Sequence, residues 1–170
     1  MSNELPSTDE LRALVEQLGA RDWNTARAAQ TALAGTGEAG IAAAIWGLSH
    51  PNVRVRRGCA GFMDHHGTDA CFTSLRQVAL HDPAPSVRRM AVHSASCQEC
   101  KQCPLTGDLI GLLVEVALSD TNRRIRLHAI WSLYRPRDAR AVAALKSILR
   151  DADPELVLDA YTRTRTTKHG

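Results

Sequence analysis

Aromatic side chains are scarce in this chain: seven in 170 residues, namely Trp23, Trp46, Trp131, Tyr134, Tyr161, Phe62 and Phe72. β-Sandwiches and barrels fill their pleated faces with aromatic and β-branched residues, so the scarcity argues against both. Long apolar runs are missing too. No stretch approaches the roughly 18 residues that would suggest a membrane span, and Met1 to Asp9 has neither the basic start nor the apolar middle of a secretory signal. The expectation is a cytoplasmic protein with no membrane association. Lysine is rare as well: of 21 Lys and Arg residues only Lys101, Lys146 and Lys168 are lysine. Arginine suits fixed ion pairs and bidentate contacts, so many of these guanidinium groups are expected to be structural. A formal net charge of +3 singles out no partner. Nucleic-acid binding is not expected, because it would want a denser basic surface and more stacking aromatics.

What is abundant is alanine, 25 residues, the strongest helix former and small enough for close helix packing. The chain also repeats itself. His50-Pro51-Asn52-Val53-Arg54-Val55-Arg56-Arg57, Asp82-Pro83-Ala84-Pro85-Ser86-Val87-Arg88-Arg89 and Asp120-Thr121-Asn122-Arg123-Arg124-Ile125-Arg126-Leu127 each place a polar or proline-bearing turn before an apolar residue, an arginine and a helical run. Cys59, Ala91 and Ala129 fall at one equivalent small-residue position, joined by Ala29 upstream and Ala160 downstream. The copies are about 30 to 38 residues apart, the period of helical solenoids.

Second helices lie between the copies. Ile41, Ala44, Ile45 and Leu48 stand at i, i+3, i+4 and i+7, as do Ala141, Ala144, Leu145 and Ile148, and Leu109, Leu112, Leu113 and Val116. A leading helix shows the same stripe in Leu11, Leu14, Val15 and Leu18, behind a capping box of Ser7 and Glu10. The expected architecture is all-α, a right-handed α-solenoid of about four to five helix pairs. Residues 1–8 are expected to be disordered, 9–161 to form a single repeat domain with a cysteine-rich loop inserted at 96–107, and 162–170 to be a flexible tail.

The pattern Asp-Pro-x-Pro-x-Val-Arg-Arg-x-Ala at Asp82 to Ala91 resembles the HEAT repeats first noted in phycobilisome lyases. The resemblance covers roughly residues 20–160. It implies a scaffold on which binding proteins, lyase subunits and adaptors are built, and it specifies no single activity. In such repeats the arginine near the start of the first helix commonly bonds to an acidic residue or turn carbonyl of a neighbouring repeat. That is the expected role of Arg56, Arg88 and Arg126, with Asp82, Asp120 and Asp151 as partners, while Arg57 and Arg89 remain to contact an anion or a partner.

One repeat is longer than its neighbours. The excess, Ser96 to Gly107, carries Cys97, Cys100 and Cys103 in a Cys-x2-Cys-x2-Cys run, with His93 one helical turn before the first. Five cysteines in a chain without an evident export signal favour metal binding or free thiols over disulfides. Aligning Pro51 with Pro83 sets Cys97 opposite His65 of the preceding repeat, so Asp64, His65, His66 and Cys71 would crowd the end of the stack that carries the cysteine loop. Small actinobacterial HEAT-repeat proteins with a His/Cys-rich insertion look similar over this stretch, which suggests that these positions act together.

Thiolate and imidazole ligands favour zinc. The expected ligands are Cys97, Cys100, Cys103 and one of His65 or His93 in a closed structural site between adjacent repeats, with Cys71 a further candidate. The expected function is a HEAT-repeat binding or scaffold protein that recognises a protein or peptide on its concave face. The alternative is a metal-dependent hydrolase or lyase acting on a small molecule, with an open zinc position and Asp64 or His66 in proton transfer. Iron or an iron–sulfur cluster is a further reading of the cysteine-rich loop. A thiol switch is another, with Lys101 lowering the pKa of Cys100. Cys59, at the small core position, is expected to be packing alone.

Overall fold

A computed structural model of the chain describes residues 6–97, 100–101, 105–134 and 139–151. All regular structure among them is helical: α1 (Thr8–Gln17), α2 (Trp23–Gly35), α3 (Glu38–Gly47), α4 (Val53–His66), α5 (Asp69–His81), α6 (Pro85–Ser96), α7 (Leu109–Ser119), α8 (Arg123–Leu133) and α9 (Ala139–Asp151). None is long and apolar enough to cross a membrane. The chain divides into two compact units, Met1–Gly107 and Asp108–Gly170. The expected end segments 1–8 and 162–170 lie largely or wholly outside the described residues, as do Ala160 and Cys103.

Several helices start where a short polar side chain can satisfy their first free N–H groups. Ser7 and Glu10 form the expected capping box on α1. Asp22 accepts from the Thr25 N–H, Asn52 from that of Arg54, Asp108 from that of Gly111 and Asn122 from that of Arg124. At α6 a proline occupies the first turn, where its missing N–H costs nothing. The turn before each repeat is built the same way. Asp82 Oδ1 accepts the Ala84 N–H at 2.8 Å and Asp120 Oδ1 the Asn122 N–H at 2.7 Å. His50 stands where the other turns have aspartate, and its Nδ1 accepts the Asn52 N–H at 3.1 Å.

The repeated arginines close these turns. Nη1 of Arg56, Arg88 and Arg126 donates to the carbonyl six residues back, that of His50, Asp82 and Asp120, at 2.8–2.9 Å. Arg56 also grips the next repeat, with Nε 2.6 Å from Asp82 Oδ2 and Nη2 3.1 Å from Oδ1. The repeat arginine is thus a structural clamp, as the resemblance to HEAT repeats implied.

In the first unit α6 packs against both α4 and α5, while α1 lies against α2 and α3. Val15, Leu33, Phe62, Met63 and Leu75 are fully buried there. Cys59 belongs to this core. Its thiol faces Gly47, where a Cβ would come within 2.4 Å of the sulfur, and burial pushes its pKa up to about 12. The second unit packs α7 against α8 and α9 around Leu112, Leu113, Ile125, Ile130 and Ile148.

Candidate metal centre and its groove

Helix α4 is amphipathic in an unusual sense, since its two long faces are both used. Val55, Cys59, Phe62 and Met63 face the core. Arg54, Arg57, Gly58, Gly61, Asp64 and His65 follow at i, i+3, i+4, i+7, i+10 and i+11, and this second stripe lines a groove of about 870 Å³. Helix α2 contributes Trp23, Ala26, Arg27 and Gln30, and α6 contributes Ser86, Met90 and His93. The groove therefore runs over the first helices of three successive repeats and ends at the C-terminal turns of α4 and α6.

At that end several potential ligands converge. Asp64 is 7% exposed. Its Oδ2 lies 3.4 Å from His93 Nε2 and 3.6 Å from His65 Nε2, and Oδ1 lies 4.0 Å from Lys101 Nζ. The donor atoms of Asp64, His93 and Cys97 all fall within 4.8 Å of one another, and so do those of Asp64, His65 and Cys100. Cys97 and Cys100 join the two groups, with their sulfurs 2.8 Å apart. Four free cysteines are described, and these two are the ones in the cluster.

The distances carry chemical information. Hydrogen bonds between nitrogen and oxygen close at about 2.7–3.2 Å, so neither imidazole makes a proper one to Asp64. Two ligands held about 2.0–2.1 Å from a tetrahedral zinc stand about 3.3–3.4 Å apart, which is the Asp64–His93 separation. The sulfurs are closer than two zinc-bound thiolates, about 3.8 Å apart at 2.3 Å bonds, so they would separate by about 1 Å to share an ion. Asp64 Oδ1 is buried with no hydrogen-bond partner among the described residues. Buried polar atoms almost always find a partner. This one faces the Lys101 ammonium at 4.0 Å, while Oδ2 of the same carboxylate faces the two imidazoles. Carboxylate, imidazole and thiol together are donor types that suit zinc.

The inserted loop is tied down around this cluster. Lys101 is buried and donates from Nζ to the carbonyls of Ser94 and of Cys97, the latter at 2.9 Å. Its ammonium thereby caps the negative end of α6. Burial holds the Lys101 pKa below the ordinary lysine value, opposed by the nearby Asp64 carboxylate. Further on, the Thr106 N–H and Oγ1 donate to Asp69 at 2.6 and 2.7 Å, and those two bonds, side chain first, depress the Asp69 pKa. Gly107 sits against Phe72, where a Cβ would meet ring carbons at 2.1 Å.

Other sequence candidates lie elsewhere. His66 stacks on Phe62 with ring centroids 4.8 Å apart and belongs to neither donor group. Burial, then the neighbouring His65, lowers its pKa. Cys71 is fully buried, belongs to neither donor group, and has its pKa raised by that burial. Arg57 lines the groove, whereas Arg89 is exposed on α6 and is not among the lining residues. Lys101 does pull the Cys100 pKa down as expected, but it is outweighed. The hydrogen bond with Cys97 leads a rise to about 11, reinforced by Asp64, and the lysine only partly offsets it.

Sequence reasoning named Asp64 for proton transfer and missed its place at the centre of the donor set. It also missed Arg54, Trp23 and Gly61 as groove residues. The three-and-four spacing of the second stripe on α4 was the available signal.

Stacked helix pairs with turn-clamping arginines and a polar groove across their first helices define an α-solenoid of short repeats. The chain matches the HEAT-repeat family over residues 11–96 and 72–163, and it belongs to that family. It is similar to a chain in the solved complex of CpcE and CpcF of phycocyanin lyase from Nostoc sp. PCC7120, at 21% identity and a TM-score of 0.67. The match covers 91% of this chain and 99% of that one. At this identity the likeness concerns the fold. No curated protein matches the chain.

Proposed function

We propose that this protein is a HEAT-repeat binding module that carries one zinc ion where α4, α6 and the inserted loop meet. Asp64, His93, Cys97 and Cys100 are its ligands, with His65 a fifth donor beside them. The observation that carries this reading is the convergence of two donor groups on the buried Asp64 carboxylate, one with His93 and Cys97 and the other with His65 and Cys100. Mixed sulfur, nitrogen and oxygen ligands suit zinc better than an iron–sulfur cluster, which wants mainly thiolates. Cys103 lies outside the described residues and remains a candidate from its spacing alone. Zinc here would join two repeats to the loop and add to stability without chemistry.

A second reading is favoured by one feature. Asp64, His65 and His93 are also walls of the groove, so the ion would face it rather than be sealed from it. A metal with an open position toward a groove supports the metal-dependent hydrolase or lyase alternative, with zinc-bound water as the reactive group. Elemental analysis of protein purified without chelator tests both readings. About one zinc per chain, lost in Cys97→Ser, is the expected result. Protein with no metal and fully titratable thiols would overturn both, and iron in place of zinc would overturn the choice of ion.

A further inference from the structure

The groove carries three arginines, and they are not equivalent. Arg54 is engaged by the carbonyls of Gly19 and Ala20, at 3.1 and 3.2 Å. The Arg27 guanidinium lies over the Trp23 ring, 4.9 Å from its centroid. Arg57 has no hydrogen bond or ion pair among the described residues, and it stands in the groove wall on α4 between Arg54 and Asp64. Asp64 is the acidic side chain among the lining residues, and it already faces two imidazoles and an ammonium. The groove is therefore complementary to negative charge.

Glycine placement indicates where a ligand would lie. Gly58 is required by packing, since a Cβ there would come within 2.4 Å of the Leu18 carbonyl oxygen. Gly61, one turn on, is not required in that way: its Cβ would meet Met90 at an ordinary 3.8 Å. The same repeat position holds His93 in α6 and Trp131 in α8. In α4 its bareness leaves an open lane between Arg57 and Asp64, floored by glycine and Met90. Seven residues of helix place the Arg57 and Asp64 backbones about 10 Å apart.

Resting on the zinc reading above, we infer that the groove binds a small elongated organic anion. Its phosphate or carboxylate pairs with Arg57, whose planar fork suits both, and its apolar body crosses Gly61 toward the metal. The groove volume of about 870 Å³ lies within the range of small-molecule sites, about 300–1,000 Å³.

The test titrates zinc-loaded protein with phenyl phosphate, 3-phenylpropanoate and inorganic phosphate, followed by calorimetry, with zinc content measured on every sample. One of the two aromatic anions is expected to bind saturably and more tightly than inorganic phosphate. Tighter phenyl phosphate assigns a phosphate ester, and tighter 3-phenylpropanoate assigns a carboxylate. Arg57→Ala should weaken binding roughly tenfold or more. Arg124→Ala, an exposed arginine of the other unit, should leave it unchanged. Gly61→Leu should block the aromatic anions while zinc content and melting temperature are kept. Equal losses in Arg57→Ala and Arg124→Ala, or no binding to protein that holds its zinc, would overturn the inference and leave the zinc reading intact. A chain without zinc would overturn the zinc reading and this inference with it.

Discussion

Two aspartates of the first unit are almost equally buried, Asp82 at 8% exposure and Asp64 at 7%, yet their surroundings differ. Asp82 receives a two-pronged grip from Arg56 and a backbone N–H from Ala84. Its charge is matched and its lone pairs are used. Asp64 Oδ1 accepts no hydrogen bond among the described residues, and the nearest cationic or imidazole nitrogens stand back from the carboxylate at 3.4–4.0 Å. Burying a carboxylate is costly unless it is paired and bonded. Where the pairing is complete, the residue serves the fold. Where it stops short, with sulfur and nitrogen donors gathered around the gap, the residue is arranged for something from outside. This contrast separates the part of the molecule that any HEAT repeat needs from the part that belongs to this chain.

The largest effect expected in breaking this contrast comes from the metal. With free zinc at a thousandfold excess over its dissociation constant, binding adds about 4 kcal/mol, or about 8–16 °C in melting temperature for a chain of this size. Calorimetric scans with and without chelator should show that gap in the parent and lose it in Cys97→Ser. A parent that melts alike in both conditions would count against a structural role for the ion.

Breaking the other aspartate's pairing comes next. Arg56→Ala leaves Asp82 buried without its partner, at a cost of about 3 kcal/mol, whether or not zinc is present. Denaturant melts of both loaded and stripped protein should show the same loss. A loss that depended on zinc would mean that the two aspartates are not independent.

Asp64→Asn should sharpen the distinction with a smaller change in stability. In metal-free protein it should not destabilise the fold, because a neutral amide replaces a buried carboxylate whose Oδ1 accepts no hydrogen bond among the described residues. In competition titrations with a zinc chelator its affinity should fall by more than tenfold. If Asp64→Asn destabilised the metal-free protein as much as Arg56→Ala does, Asp64 would be a fold residue after all.

The smallest effect concerns the loop anchor. Asp69 has a depressed folded-state pKa through its bonds to Thr106, relative to an ordinary value of 3.8. Its contribution is therefore present in full above that value and is lost as pH falls through the lower folded value. The protection of the Thr106 amide, its NMR exchange rate relative to the intrinsic rate at each pH, should fall only in that acid range. Asp69→Asn should show faster exchange already at neutral pH.

Much of the fold was legible in the chain. The Val87-Arg88-Arg89 pattern and its counterparts marked first helices, and the capping box of Ser7 and Glu10 marked the start of the leading helix, because these are local rules that act within a few residues. The Arg56–Asp82 clamp was legible through the resemblance to HEAT repeats, with the recurrence of arginine and aspartate marking the positions. The site was legible only in outline. Counting residues brought His65, Cys97 and Cys100 to one end of the stack. It could not show that Asp64 rather than His66 turns inward, because consecutive residues on a helix point about 100° apart and a neighbour's packing selects among them. Nor could it show that Lys101, written beside Cys100, reaches back to cap α6 instead of activating the thiol.

The sequence by itself determined the helical repeat, its period, its turn clamps and the collection of thiols and imidazoles near one turn of the stack. These follow from hydrophobic periodicity and capping, which are properties of short segments. Tertiary structure alone decided which aspartate is satisfied and which is left open, which of three arginines stays free in the groove, and which glycine is a packing necessity and which an opening. Those outcomes depend on distances of a few ångströms between residues about 30 positions apart, set by how α4 and α6 pack and carried by no local pattern in the chain.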